Sequence, residues 1–311
     1  MHLVALALLA MLAPAHAGKK KKQRETPAPE PVEAPATPSA APAATVVLPC
    51  PYVPGRAFTW DMTATGSNPA TGHVTFTSQE GPLGTVHVRV DTTIERAAKL
   101  SSSVVEEALA RLPEPSAPIV EFTPATRGLV IANLDDVMKA IGPALEAVLA
   151  ERYATEPAQL VDYTRQLARD PGMVTSSVLQ GHAILFLQTC AEAPVGQLLE
   201  QVIQMPAPVG GLPIEAVSTY LVEIEGDRAV IQASEASAPG AMASILDGMV
   251  AADLIDAELA AGLQDFRMAS SARTVVTLAD GVIQSSSATL TIEGTGTSGD
   301  TEDVRTFTLR N

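Results

Sequence analysis

Residues 57–64 read AFTWDMTA. Phe58, Trp60, Met62 and Ala64 alternate with Thr59, Asp61 and Thr63. A period of two puts apolar side chains on one face of an extended chain and polar ones on the other, which predicts a half-buried strand. Trp60, the one tryptophan of the chain, is its natural anchor. His73–Thr77 repeats the pattern with Val74 and Phe76 inward, and Thr85–Asp91 repeats it with Val86, Val88 and Val90 inward. Gly81-Pro82 punctuates these last two segments, so they read as a hairpin. Three such strands in sequence predict an antiparallel meander with one face on the core and one in water.

The same signature returns at the far end of the chain. Arg273–Ala279, a turn at Asp280-Gly281, Val282–Glu293 and Asp303–Arg310 predict a second meander. Glu215–Glu225 and Arg228–Ser234 flank Gly226-Asp227 as a compact hairpin. Between the two ends the period changes. Ser103–Leu112 leans towards helix, and Ile119–Phe122 with Gly128–Ala132 reads as a short strand pair. From Asn133, apolar residues fall at Leu134, Val137, Met138, Ile141, Leu145, Val148 and Leu149. This is helical spacing, with Asn133 as N-cap and Asp135 and Asp136 at the positive end of the dipole. Gly142-Pro143 is expected to kink or split that helix. A second helix, about Glu156–Ala168, is expected to stop before Pro171-Gly172. His182–Cys190, nearly all apolar at its centre, reads as a strand covered on both faces, and Ala241–Leu263 as a further helix. Runs of strands with segregated helices define the expected class: α+β, a curved, mostly antiparallel sheet with meanders at both ends and helices packed on one face.

The N-terminal residues are of a different kind. Leu3–Pro14 is an apolar run ending in Ala15-His16-Ala17, and Met1–Ala17 reads as a secretory signal peptide cleaved between Ala17 and Gly18. A run of about twelve apolar residues is too short to span a bilayer, which takes about twenty. No later segment supplies a transmembrane helix. Residues 18–45 are rich in Lys, Pro and Ala and read as a disordered tether. Lys19, Lys20, Lys21 and Lys22 make a cationic patch, either a solvated tail or a contact for an anionic surface. Residues 46–311 form the β-rich domain.

Charge narrows the partners. The chain carries 20 Lys+Arg against 35 Asp+Glu. Setting aside the five cations and three acids of the tether leaves fifteen against thirty-two, a net charge of −17. A domain this acidic repels nucleic acid, which is bound through phosphate contacts with Lys and Arg. The two cysteines, Cys50 and Cys190, form one disulfide, remain as two buried thiols or leave a reactive thiol; export favours the bridge, and neither stands in a C-x-x-C pattern.

No catalytic, metal or cofactor site is assigned from sequence. His73, His87 and Asp91 share the polar phase of neighbouring strands, and one register opposes His73 to Asp91. His/His/Asp is a legitimate ligand set, but wet sheet faces carry such residues as ordinary cross-strand pairs. Residues 294–299 match G-x-G-x-x-G without the strand–turn–helix context that a dinucleotide fingerprint needs. They read as a hairpin loop. Ser101–Ser103, Ser176-Ser177, Ser270-Ser271 and Ser285–Ser287 stand in no nucleophile motif.

The segments EGDRAVIQAS (residues 225–234) and TLADGVIQSSSATLTIEG (residues 277–294) resemble repeats of an uncharacterised, DUF6263-like domain of exported bacterial proteins. The strand–helix–strand order is similar to that of LolA-like curved-sheet lipoprotein carriers. The signal-like N-terminus implies an exported protein, periplasmic or extracellular, and the strand–helix order with apolar helices and no catalytic motif implies a non-enzymatic role. Its expected partner is a hydrophobic or lipid-like ligand or another envelope component. The competing expectations are a tethered structural or interaction module and a hydrolase without a recognisable motif.

Overall fold

The computed structural model describes residues 44–310, apart from 67–68, 83, 98–101, 125–127, 157, 207–212, 239, 242, 252–260, 262–266 and 294–300. The signal assignment and the tether as far as residue 43, Ala17, Gly18 and Lys19 to Lys22 among them, lie outside the described residues; the last residue read as tether, Thr45, is instead the first of a strand, paired with Pro194. So does the glycine motif at 294–299.

The strand Ala57–Thr65 (β2) alternates as its sequence dictates, with Trp60 and Met62 buried. It is followed by Ala70–Glu80 (β3), Val86–Ala97 (β4), Ile119–Thr123 (β5) and Gly128–Ile131 (β6), each antiparallel to the one before. The later part of the chain supplies Leu199–Pro206 (β8), Pro213–Glu225 (β9), Arg228–Ser237 (β10), Arg267–Thr277 (β11), Ile283–Glu293 (β12) and Thr301–Leu309 (β13). These also pair in sequence order. β13 then pairs with β2, so the two meanders fuse into one open eleven-stranded sheet with β6 and β8 at its edges. Trp60 fastens the seam by donating its indole N–H to the Ile283 carbonyl at 2.8 Å. A separate ribbon pairs Thr45–Leu48 (β1) with Ala191–Pro194 (β7).

The helices pack on one face of this sheet. Ser102–Ala110 (α1) buries Val104, Val105, Ala108 and Leu109. Leu134–Arg152 (α2) buries Val137, Ile141, Leu145, Val148 and Leu149. It runs unbroken through Pro143, whose missing N–H falls among the exposed residues of the helix while its apolar stripe stays packed. Asn133 stands at the N-cap position without capping. Its Oδ1 accepts from the Ile119 amide and its Nδ2 donates to the Ala117 carbonyl, so it ties the helix start to β5 instead. Ala158–Leu167 (α3) follows.

The segment His182–Cys190 is not a strand. Residues 182–187 are the end of a helix, Pro171–Leu187 (α4). Asp170 caps it, accepting from Gly172 N at 2.8 Å and Met173 N at 3.4 Å, with Pro171 in the first turn. The Asp-Pro-Gly sequence that reads as a stop is therefore a start signal. An apolar run buried on all sides has the same composition in a helix as in a strand, and here the cap decides. Val174, Val178, Ile184, Leu185 and Phe186 are buried, and Phe186 stacks on Phe76 of β3 at 4.7 Å between centroids. Tyr52 lies against Phe76, Phe122 and Phe186 and donates its hydroxyl to the Leu185 carbonyl.

Cys50 and Cys190 are joined by a disulfide, with Cα atoms 4.1 Å apart. The bridge sits where β1 ends and β7 begins, after α4 rather than at the end of a central strand. Gly281, in the β11–β12 turn at φ 73°, lies so close to Pro49 that a Cβ there would collide with the Pro49 carbonyl. The cross-linked ribbon is thus docked on the second meander. Of the helix read at 241–263, Ala243–Ala251 (α5) is present; residues 252–260 and 262–266 are not described.

Candidate binding trough on the inner sheet face

Register fixes which side chains share the helix-covered face. One row runs Gly72–Met62–Phe307–Ser286–Thr274–Ile231–Val222 from β3 to β9. Its members are buried: Met62 2 %, Phe307 1 %, Ser286 2 %, Thr274 1 % and Ile231 1 % exposed. The two hydroxyls inside it satisfy one another, Thr274 and Ser286 standing 2.9 Å apart.

The next row on the same face runs Arg305–Ala288–Ala272–Ala233–Tyr220–Leu199 from β13 to β8. The row after it runs Asp303–Leu290–Ser270–Glu235–Ser218–Gln201. In that outer row Leu290, Ser270 and Glu235 are again buried. The alanines between the two buried rows are only half-buried. Ala272 and Ala288 pack against the hydrophobic core yet stay half-buried, and these short side chains stand lower than Ile231, Leu290 and Glu235 on either side, which makes the row a shallow candidate trough with the alanines as its floor. Arg305, ion-paired to Glu106 of α1 at 3.2 Å, closes the β13 end. Tyr220 is half-buried and Leu199 is 39 % exposed at the β8 end. At ordinary strand spacing the row from Arg305 to Tyr220 spans about 19 Å.

The wall of the trough carries an unusual polar pair. Glu235 and Ser270 are direct cross-strand partners on β10 and β11. Each is 8 % exposed, and the Ser270 hydroxyl has no hydrogen-bond partner. Burial pushes the Glu235 carboxyl up to about 7, so near neutral pH it is a donor as often as an anion. On the same face Met268 and Ala216 are buried, while Ser218, directly opposite Glu235 on β9, is half-buried. Ser237 is already engaged, its hydroxyl accepting from the Met268 amide at 3.1 Å.

The residues singled out from sequence lie elsewhere. His73 faces Thr93 on β4 and Asp61 on β2, while Asp91 faces Thr75, so the two do not meet. His73 approaches Glu95 at 3.9 Å, and His87 bonds Glu121 at 3.0 Å. Both belong to the outer face, where Thr59 and Thr75 also touch. Among the described residues no group of three His, Cys, Asp or Glu is placed to hold a metal ion. His182 sits in the core. Burial depresses its pKa, Nδ1–H donates to the Val178 carbonyl, and Nε2 faces Thr92 at 3.5 Å. Glu107, 2 % exposed, accepts from Arg111 and Arg152 and locks α1 to α2. Both are structural groups. A signal for Glu235 is present in its strand: Ile231, Ala233 and Glu235 share a phase, and a lone carboxylate on an apolar phase marks an unusual site.

No family model and no curated protein matches the chain. Among solved structures, one described as lipid-protein interactions in lipovitellin aligns with a TM-score of 0.33 and 9 % identity. The alignment covers 84 % of this chain and 25 % of that one, so the chain spans about a quarter of its length. No helix among the described residues is long and apolar enough to cross a membrane.

Proposed function

We propose that this is an exported binding protein that holds a long apolar ligand in the trough over Ala288, Ala272 and Ala233. The observation that carries the reading is the half-buried state of those alanines between two buried rows. An apolar floor with a few convergent polar groups is the usual composition of a small-molecule site. The length of the trough is comparable with one leaflet of bilayer hydrocarbon, about 15 Å. The disulfide belongs to an oxidising compartment. Together with the signal-like residues 1–17, it favours a periplasmic or extracellular location, the setting of the LolA-like carriers to which the strand order is similar.

The test is saturable binding of a fluorescent naphthylamine probe to the purified mature chain. Ala272→Trp, which fills the trough floor, abolishes binding while the thermal transition stays cooperative. No saturable binding to the wild type, or full binding to that variant, overturns the reading.

A second reading, a tethered interaction module, draws on the β8 edge, where Leu198 is 60 % and Val202 64 % exposed. Open strand edges template pairing with another chain. If that edge is the working surface, Val202→Lys abolishes cross-linking in the envelope fraction and leaves probe binding intact.

A further inference from the structure

The Glu235–Ser270 pair narrows the class of ligand. We infer that these two side chains form a head-group station for an acyl compound, whose carbonyl accepts hydrogen bonds from the Glu235 carboxyl and the Ser270 hydroxyl while its chain lies over the alanine row. The inference rests on the trough reading and adds the chemistry of the ligand's polar end.

Three observations converge on it. A buried hydroxyl without a partner is rare in folded proteins, because it has given up water for nothing. Ser270 stands on the same face as Ala272, two residues along β11, and its hydroxyl is buried beside the alanine row. Glu235 faces it across the strand pair, at the short separation of cross-strand neighbours. Two donors side by side, with Met268 and Leu290 buried around Ser270 and Ser218 opposite Glu235, match one acceptor oxygen with two lone pairs.

The same geometry disfavours other head groups. A phosphate needs cations. Arg305, on the neighbouring row, is three strands from Glu235 and held by Glu106. An ammonium would need Glu235 as a full anion, which burial opposes. A free fatty acid and an esterified lipid share the acyl carbonyl, and the experiment separates them.

Affinities of palmitic acid, methyl palmitate, hexadecylamine and hexadecane are measured by probe displacement on the full mature chain. The acid or the ester binds best. Glu235→Ala and Ser270→Ala each weaken it roughly tenfold, the worth of one good hydrogen bond. Glu235→Gln, which keeps a donor, loses less than either. Preference for the acid identifies a free fatty acid and preference for the ester a lipid ester; both support the inference. Equal affinity for hexadecane and the acyl compounds, or acyl affinities unmoved by all three variants, overturns it and leaves the trough reading standing. Preference for hexadecylamine also overturns it. If no alkyl compound displaces the probe from the wild type, both readings fall together. Circular dichroism of each variant separates lost binding from lost folding.

Discussion

The two meanders are built from the same alternating pattern, yet they do different things with their inner faces. Over β2–β6 the inward residues are large: Trp60, Met62, Val74, Phe76, Val88, Val90, Val120 and Phe122, all buried beneath the helices. Over β9–β12 the central inward positions are Tyr220, Ala233, Ala272 and Ala288, none of them fully buried. Where side chains are large and helices cover them, the sheet face becomes a core. Where they are small, the same face becomes a trough. Side-chain volume along a row therefore decides how completely the face is filled, because alternation fixes only which face a residue is on.

The disulfide offers the strongest way to disturb both halves at once. It closes a loop of 140 residues, which the chain-entropy model values at about 5 kcal/mol. Cys50→Ala with Cys190→Ala is expected to lower the denaturation midpoint by most of that amount, read from urea unfolding. A change within error would mean that the ribbon is not anchored by the bridge.

The next prediction compares the halves directly. Gly72 lies on the closed face, where a Cβ would collide with the Thr93 carbonyl. Gly72→Ala should therefore cost about 2–3 kcal/mol, as overpacking does. Ala272→Leu adds more volume in the trough and should cost under about 1 kcal/mol. Equal costs would show that the two faces are equally filled.

The smallest effect is a titration. Glu235 is held at about 7 against an ordinary carboxylate value near 4.5. Between those values the folded chain keeps a proton that the unfolded chain has lost. Stability therefore falls as pH rises from about 4.5 to about 7 and levels off above. The loss is about 1 kcal/mol once the carboxyl's partial access to water is discounted. The closest charged groups along these inner rows, Asp303 and Arg305, are three strands away, so burial dominates. Glu235→Gln is expected to remove this contribution, read as the difference between wild-type and variant melting curves across the range. A difference that does not vary with pH would place the Glu235 carboxyl in water.

Much of this molecule was legible in the chain because a period of two is a local signal. The inward phase of β2, β3 and β4, the Gly226 hairpin and the apolar stripe of α2 follow from side-chain spacing alone, as does the α+β class. The strand read at residues 182–190 failed for a physical reason. A run that is apolar on every side carries no period, and its helical form rests on the Asp170 cap and on space between the other helices and the sheet. The site was less legible still. Ala233, Ala272 and Ala288 are unremarkable within their own strands and become a floor only when β10, β11 and β12 pair in register. Glu235 lies one residue past the strand read at 228–234, and its partner Ser270 is 35 residues further along the chain. The sequence by itself determined which face each strand residue occupies, since that depends on the pleat. Only the tertiary structure decided which residues from distant strands share a row, that β13 closes against β2, and which rows the helices leave uncovered. Those depend on long-range register and on packing volume, which no local pattern encodes.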